Sequence, residues 1–255
     1  MADEDALQGY YIYCVIQTDG DRSFPVMSMD GDTHGVTTIR FMDLAAVVSP
    51  ASEASYAVTR QHTLAHQLVL EAVMQEFTLL PVRFGTVARC REDVVEKLLK
   101  RKFGEFHGLL NYLNGKVELG LKVLWKREPL FAQIVAENPI IRRMSDAVSG
   151  KPEAESRYER IQLGEMVGRA LEIKREEDAA RLLAVLRPLA DDLRVNKPLM
   201  DTMILNAAFL VPKANQKGVD SKVNELDHSY EGNVLFKYVG PVPPYNFVHV
   251  SVQWD

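Results

Sequence analysis

Between Tyr10 and Ile16 the chain reads YYIYCVI, an aromatic and β-branched run closed by the polar TDGD at 18–21. That pattern predicts a buried strand. Residues 18–35, rich in Asp, Gly, Ser and Pro, predict a loop. Val36 to Phe41 and Leu44 to Val48 predict a hairpin of two short strands around Asp43. From Val58 to Phe77 the hydrophobic period changes to that of a helix, with Ala65, Leu68, Val69, Ala72 and Val73 on one face. Leu79 to Val82, broken by Pro81, predicts an edge strand or an extended link. Glu92 to Leu113 predicts a second helix, ended by Asn114 and Gly115.

The second half is patterned more regularly. Val117, Leu119, Leu121, Val123 and Trp125 alternate with Glu118, Gly120 and Lys122, which predicts a half-buried strand. One or two helices follow, and the stretch from Glu153 to Arg187 carries eight acidic and seven basic side chains. Near balance of this kind describes a solvated helix surface. Leu193 and Val195 mark a strand, Met203 to Val211 a central strand covered on both faces. Val219, Val223, Leu226 and Tyr230 mark a helix stopped by Gly232, and Val234 to Tyr238 another strand. After GPVPPYNF at 240–247, Val248, Val250, Val252 and Trp254 alternate with polar residues as a terminal strand. The order β–α–β–β–α–β plus a terminal strand is the ferredoxin-like pattern. The expected fold is therefore α+β in two domains. An N-terminal α+β domain covers 1–114, and a ferredoxin-like domain with the Pro-rich C-terminal segment covers 115–255.

Composition narrows the possible partners. Hydrophobic residues are 47% and charged residues 25% of the 255, as in a soluble globular protein. A net charge of −5 offers no basic field to attract nucleic acid or anionic lipid. No apolar stretch approaches the roughly 18 residues of a membrane span. The two cysteines, Cys14 and Cys90, make no disulfide framework, and Cys14 reads as a buried small hydrophobe. The first eight residues, MADEDALQ, lack the apolar core of a signal peptide. The expected compartment is the cytoplasm.

Catalytic signatures are missing. His62 and His66 stand four residues apart on one helix face, but Thr63 occupies the place where a zincin carries its Glu. Both border the apolar stripe and read as structural histidines. The chain has no G-x-G-x-x-G after its first strand, no P-loop and no G-x-S-x-G elbow. No enzyme activity, cofactor or metal is expected. Two segments stand apart. In LLPVRFGT (79–86), Arg83 sits between apolar residues. It is read either as half of an internal ion pair, the commoner use, or as an arginine held for a partner. GPVPPYNF (240–247) reads as an extended crossing anchored by Tyr245 and Phe247, serving either as a recognition surface or as a structural crossover into the last strand.

The run RQHTLAHQLVLEAVMQEFTLLPVRFGTV at 60–87 resembles the helix and PVRFGT signature of the gas vesicle protein F/L family. VELGLKVLW at 117–125, NAAFLV at 206–211 and GPVPPYNFV at 240–248 are similar to further family segments, in the same order. The resemblance implies an accessory protein of gas vesicle assembly, a minor vesicle component. It would bind the small hydrophobic shell protein, limit its aggregation and associate with other accessory proteins. The residues expected to meet a partner are Arg60, Arg83, Phe84, Tyr245 and Phe247. The alternative is a small-ligand-binding regulatory module on a ferredoxin-like domain, since fold does not fix function.

Overall fold

The computed structural model describes residues 9–33, 35–230, 232–252 and 254, and of Glu153 the backbone alone. The reading of residues 1–8 lies outside the described residues. The chain is mixed α and β and forms two compact units. One extends to Glu118 and takes the chain in again from Pro241; the other is Leu119–Gly240.

The first unit holds strands β1 (Gly9–Gln17), β2 (Ser23–Phe24), β3 (Val36–Phe41) and β4 (Leu44–Ala51). Helix α1 (Arg60–Met74), short strands β5 (Leu79–Pro81) and β6 (Val87–Ala88), a helical turn α2 (Arg91–Asp93) and helix α3 (Phe103–Leu113) follow. The sheet runs β2-β3-β4-β1-β5, with β6 also paired to β1. The pairs of β1 with β4, β5 and β6, and of β3 with β2 and β4, are antiparallel. Every residue from Tyr11 to Ile16 is fully buried, as the apolar run predicts, and Cys14 is a free, buried thiol among them.

The Thr59 hydroxyl starts α1 by accepting the His62 N–H at 3.1 Å. The helix then buries His66, Val69, Leu70 and Val73. These apolar residues form one core with Tyr11, Tyr13 and Val47 of the sheet. Each such side chain contributes about 1.5–3 kcal/mol on burial.

The single helix expected over 92–113 is broken. The backbone widens to π-helical turns over Val94–Lys100, leaves helical geometry at Lys102 (φ −111°, ψ 18°) and restarts at Phe103. In an unbroken helix, Val94 and Leu98 would sit roughly 100° around the axis from Phe106, Leu110 and Leu113. All five are buried, and the break re-aims the second half so that both apolar stripes are covered.

Strand β7 (Lys116–Trp125) leads into the second unit, which continues with α4 (Arg127–Glu137), α5 (Pro139–Ser149) and α6 (Glu153–Leu186). Strands β8 (Asp192–Val195) and β9 (Met203–Pro212), helix α7 (Gln216–Ser229) and strand β10 (Val234–Val242) complete the order. The sheet runs β10-β7-β9-β8, with β8 and β9 antiparallel. Asp178 is buried in α6 and accepts the indole N–H of Trp125 at 2.9 Å. Lys174 at 3.4 Å and Arg181 at 3.1 Å balance its charge. Buried charge persists only when compensated in this way. Helix α6 also buries Leu171, Leu182 and Leu186, while Tyr158 and Ile161 are exposed.

The terminal strand expected over 248–254 is not formed among the described residues; Gln253 lies outside them. Val250 makes one parallel bridge, to Val82. Of GPVPPYNF, residues 240–242 are extended as the end of β10, and the remainder departs from the expected extended crossing. Tyr245 N–H donates to the Pro243 carbonyl at 2.7 Å and Val248 N–H to the Pro244 carbonyl at 3.1 Å, a tight turn. Glu118, only 2% exposed, clamps it by accepting Asn246 N–H at 2.9 Å and its side-chain N–H at 2.6 Å. Burial raises the carboxyl pKa, and the Asn246 donors oppose that rise. Replacing Glu118 with Ala orphans both donors and is expected to cost about 1–3 kcal/mol. Urea unfolding checks this: an unchanged midpoint would show that the turn holds without the clamp.

Candidate functional site

Three segments of the first unit converge on a groove of about 520 Å³. Helix α1 supplies Thr63, His66 and Gln67, the stretch after β5 supplies Val82 to Phe84, and the C-terminal segment supplies Tyr245 and Val248 to Ser251. The size falls in the range of small-ligand pockets, and most of the lining is apolar. One backbone contact joins two of its walls, Arg83 N–H donating to the Val250 carbonyl at 3.1 Å, and Val82 N–H ties its wall to β1 by donating to the Tyr13 carbonyl at 3.0 Å.

The floor is a buried polar chain. Gly85 N–H donates to the Tyr11 hydroxyl at 3.1 Å, and that oxygen lies 2.9 Å from His66 Nδ1. The loop can aim this N–H inward because Gly85 sits at φ 80°, where a side chain would be strained. Tyr11 is fully buried, so its own proton needs an acceptor, and His66 Nδ1 is the one present. The proton of the neutral imidazole is therefore on Nε2. The rings of Tyr11, Tyr13 and Phe84 stand 5.7, 5.7 and 5.6 Å from the His66 ring. Burial pushes the His66 pKa down to about 4 and raises that of Tyr11 well above the ordinary range. Tyr13 repeats the arrangement, accepting Met29 N–H at 2.8 Å with Ser49 Oγ at 3.0 Å.

Of the expected partner-facing residues, Arg83, Phe84 and Tyr245 line the groove. Arg60 is exposed at the first position of α1, and Phe247 is half-buried; neither is in the lining. The internal ion pair considered for Arg83 is not made: the side chain is exposed and meets no carboxylate among the described residues. His62 turns away to donate from Nδ1 to the Ala57 carbonyl at 2.9 Å.

The chain matches the family described as "Gas vesicle synthesis protein GvpL/GvpF" over residues 9–249. It belongs to that family. Gas vesicle protein F of Nostoc sp. is 30% identical over 205 residues, covering 80% of this chain and 83% of its own. Gas vesicle protein F of Microcystis aeruginosa is 28% identical over 251 residues, covering 95% and 98%. The crystal structure of GvpF from Anabaena sp. PCC7120 matches with a TM-score of 0.83 at 27% identity, over 96% of this chain and 99% of that one. As a GvpL/GvpF protein, the chain has an accessory role in gas vesicles. Among the described residues, no helix is long and apolar enough to cross a membrane.

Sequence reasoning found one wall of the groove of this GvpL/GvpF protein and the tyrosine of another. It missed Thr63, Val248 and Val250, and it read His66 as structural without seeing its outward nitrogen. The spacing of Thr63, His66 and Gln67 was a usable signal, since i, i+3 and i+4 share one helix face.

The buried imidazole makes stability depend on pH. In the unfolded chain His66 takes up a proton below about 6.5, whereas in the folded protein it resists until about 4. Its contribution is therefore complete above pH 6.5 and lost as pH falls toward 4, by about 3 kcal/mol. Urea unfolding at several pH values should give wild type a steeper acid loss than His66→Gln; equal slopes would assign the loss to other groups.

Proposed function

We propose that the protein is a non-enzymatic assembly factor that binds the small hydrophobic shell protein of the gas vesicle. By covering apolar surface on unassembled subunits it limits their aggregation and assists vesicle nucleation or growth. It acts in the cytoplasm, alongside other accessory proteins, and stays with the vesicle as a minor component. The observation that carries this reading is an open apolar groove on a GvpL/GvpF protein, bordered by Arg83, Phe84 and Tyr245. Apolar surface of that kind, rimmed by polar groups, marks interaction sites.

The groove's chemistry supports contact rather than catalysis. A general base needs a free lone pair, and the one lone pair of neutral His66 already accepts from Tyr11. Among the described residues no carboxylate lines the groove to orient His66 or the exposed His249, the other imidazole of the lining, or to relay a proton.

Co-expression with the shell protein tests the proposal. The shell subunit is expected to shift from the insoluble to the soluble fraction and to co-purify with the tagged protein. A shell subunit that stays insoluble and is never recovered with it, alone or with other accessory proteins, would overturn the reading.

A further inference from the structure

Beside the exposed His249 and Ser251, the groove's lining includes two donors that meet no protein acceptor among the described residues. His66 is 95% buried, since its exposure is 5%, and lines the groove. With Nδ1 taken by Tyr11, the Nε2–H makes no hydrogen bond among the described residues. At the rim, the exposed Arg83 guanidinium has no ion partner among the described residues. Both are donors. Thr63 is already committed, donating to the Thr59 carbonyl at 2.7 Å, and Gln67 donates to Glu71 at 2.8 Å.

An occupant that meets both donors brings acceptors together with apolar side chains. A neutral N–H in a groove about to lose its water calls for a carbonyl, and an exposed guanidinium calls for a carboxylate. In a helix only the last four carbonyls are free, whereas an extended segment presents unpaired carbonyls along an edge. A volume of about 520 Å³ admits a few side chains rather than a whole helix.

We infer that this groove is the docking site for an extended, apolar segment of the shell subunit. One backbone carbonyl of that segment accepts from His66 Nε2–H, and an Asp or Glu flanking it pairs with Arg83. The inference rests on the proposed function and names its surface and its partner's chemistry.

The test uses two exposed positions, so that folding is preserved, and the full-length protein with the shell protein as probe. Thr63→Trp fills the groove and is expected to weaken shell-protein binding at least tenfold. Arg83→Glu reverses the rim charge and is expected to weaken it about fivefold, an effect that shrinks in high salt. Thermal unfolding of both variants serves as the folding control. In nitrogen-15 spectra, the His66 Nε2–H resonance should move when the shell protein is added. Wild-type binding matched by both variants, with an unmoved His66 signal, overturns this inference and leaves the proposed function standing. A wild type that binds no shell protein overturns both.

Discussion

The Tyr11 hydroxyl is the constraint on which the candidate site depends. It lies at the centre of the first unit with no access to water, so it must both accept and donate inside the protein. Its partners come from different places: the Gly85 N–H from the loop after β5, and the His66 imidazole from α1. Loss of either leaves a buried polar group unmet, at about 1–3 kcal/mol. The pairing therefore locks strand, helix and loop together. It also sets the histidine tautomer, and with it the direction in which the remaining N–H points. The neighbouring Tyr13 hydroxyl ties the Met29 loop and Ser49 to the same sheet by the same logic.

A second constraint brings the C-terminal segment to the groove. Two adjacent prolines remove N–H donors, and Glu118 fixes Asn246 from both its backbone and its side chain. The turn so formed delivers Val248 and Val250, both buried, to the edge beside Val82. The two segments that stood out in the sequence, 79–86 and 240–247, are thus parts of one surface. Arg83 and Phe84 of the first and Tyr245 of the second line the same groove, and the Arg83 N–H to Val250 carbonyl bond holds the residues just after the second segment beside the first.

Periodicity made most of the elements legible. The buried run at β1 and the hairpin of β3 and β4 formed as their patterns predict. Helix α1 and strand β7 formed as elements with altered faces, Leu68 of the expected stripe being exposed and Leu70 buried, and Glu118 of the expected polar face being buried. What failed had a tertiary cause. The alternation of Val248, Val250, Val252 and Trp254 is as regular as that of β7, but a strand also needs backbone partners, and the segment finds one bridge. The helix at 92–113 breaks because its two apolar stripes are out of phase, which a count of helical matches does not register. Arg83 illustrates the limit at the site. Its apolar neighbours Val82 and Phe84 imply burial, yet the side chain emerges at a rim made by residues more than a hundred positions later. His66 was legible as a helix-face residue. Its free nitrogen was not, because that depends on Gly85 having already satisfied Tyr11.

A neutral donor is well suited to a groove that must empty and fill. A buried charge would hold water in place and would cost several kcal/mol to desolvate when an apolar partner arrived. A neutral N–H costs far less, and only when the incoming group supplies no acceptor. Such a site discriminates by penalty: an apolar segment with its carbonyls already bonded displaces the water and leaves His66 unmet, losing about 1–3 kcal/mol relative to one with a free carbonyl. Arg83, exposed and screened, adds little affinity of its own and acts on encounter and orientation. Under the docking inferred above, a groove divided in this way would distinguish an unassembled chain with open carbonyls from one whose backbone is already paired with its neighbours. Under that inference, release on assembly would require no energy source, because pairing within the growing shell would withdraw the acceptor that the groove recognises.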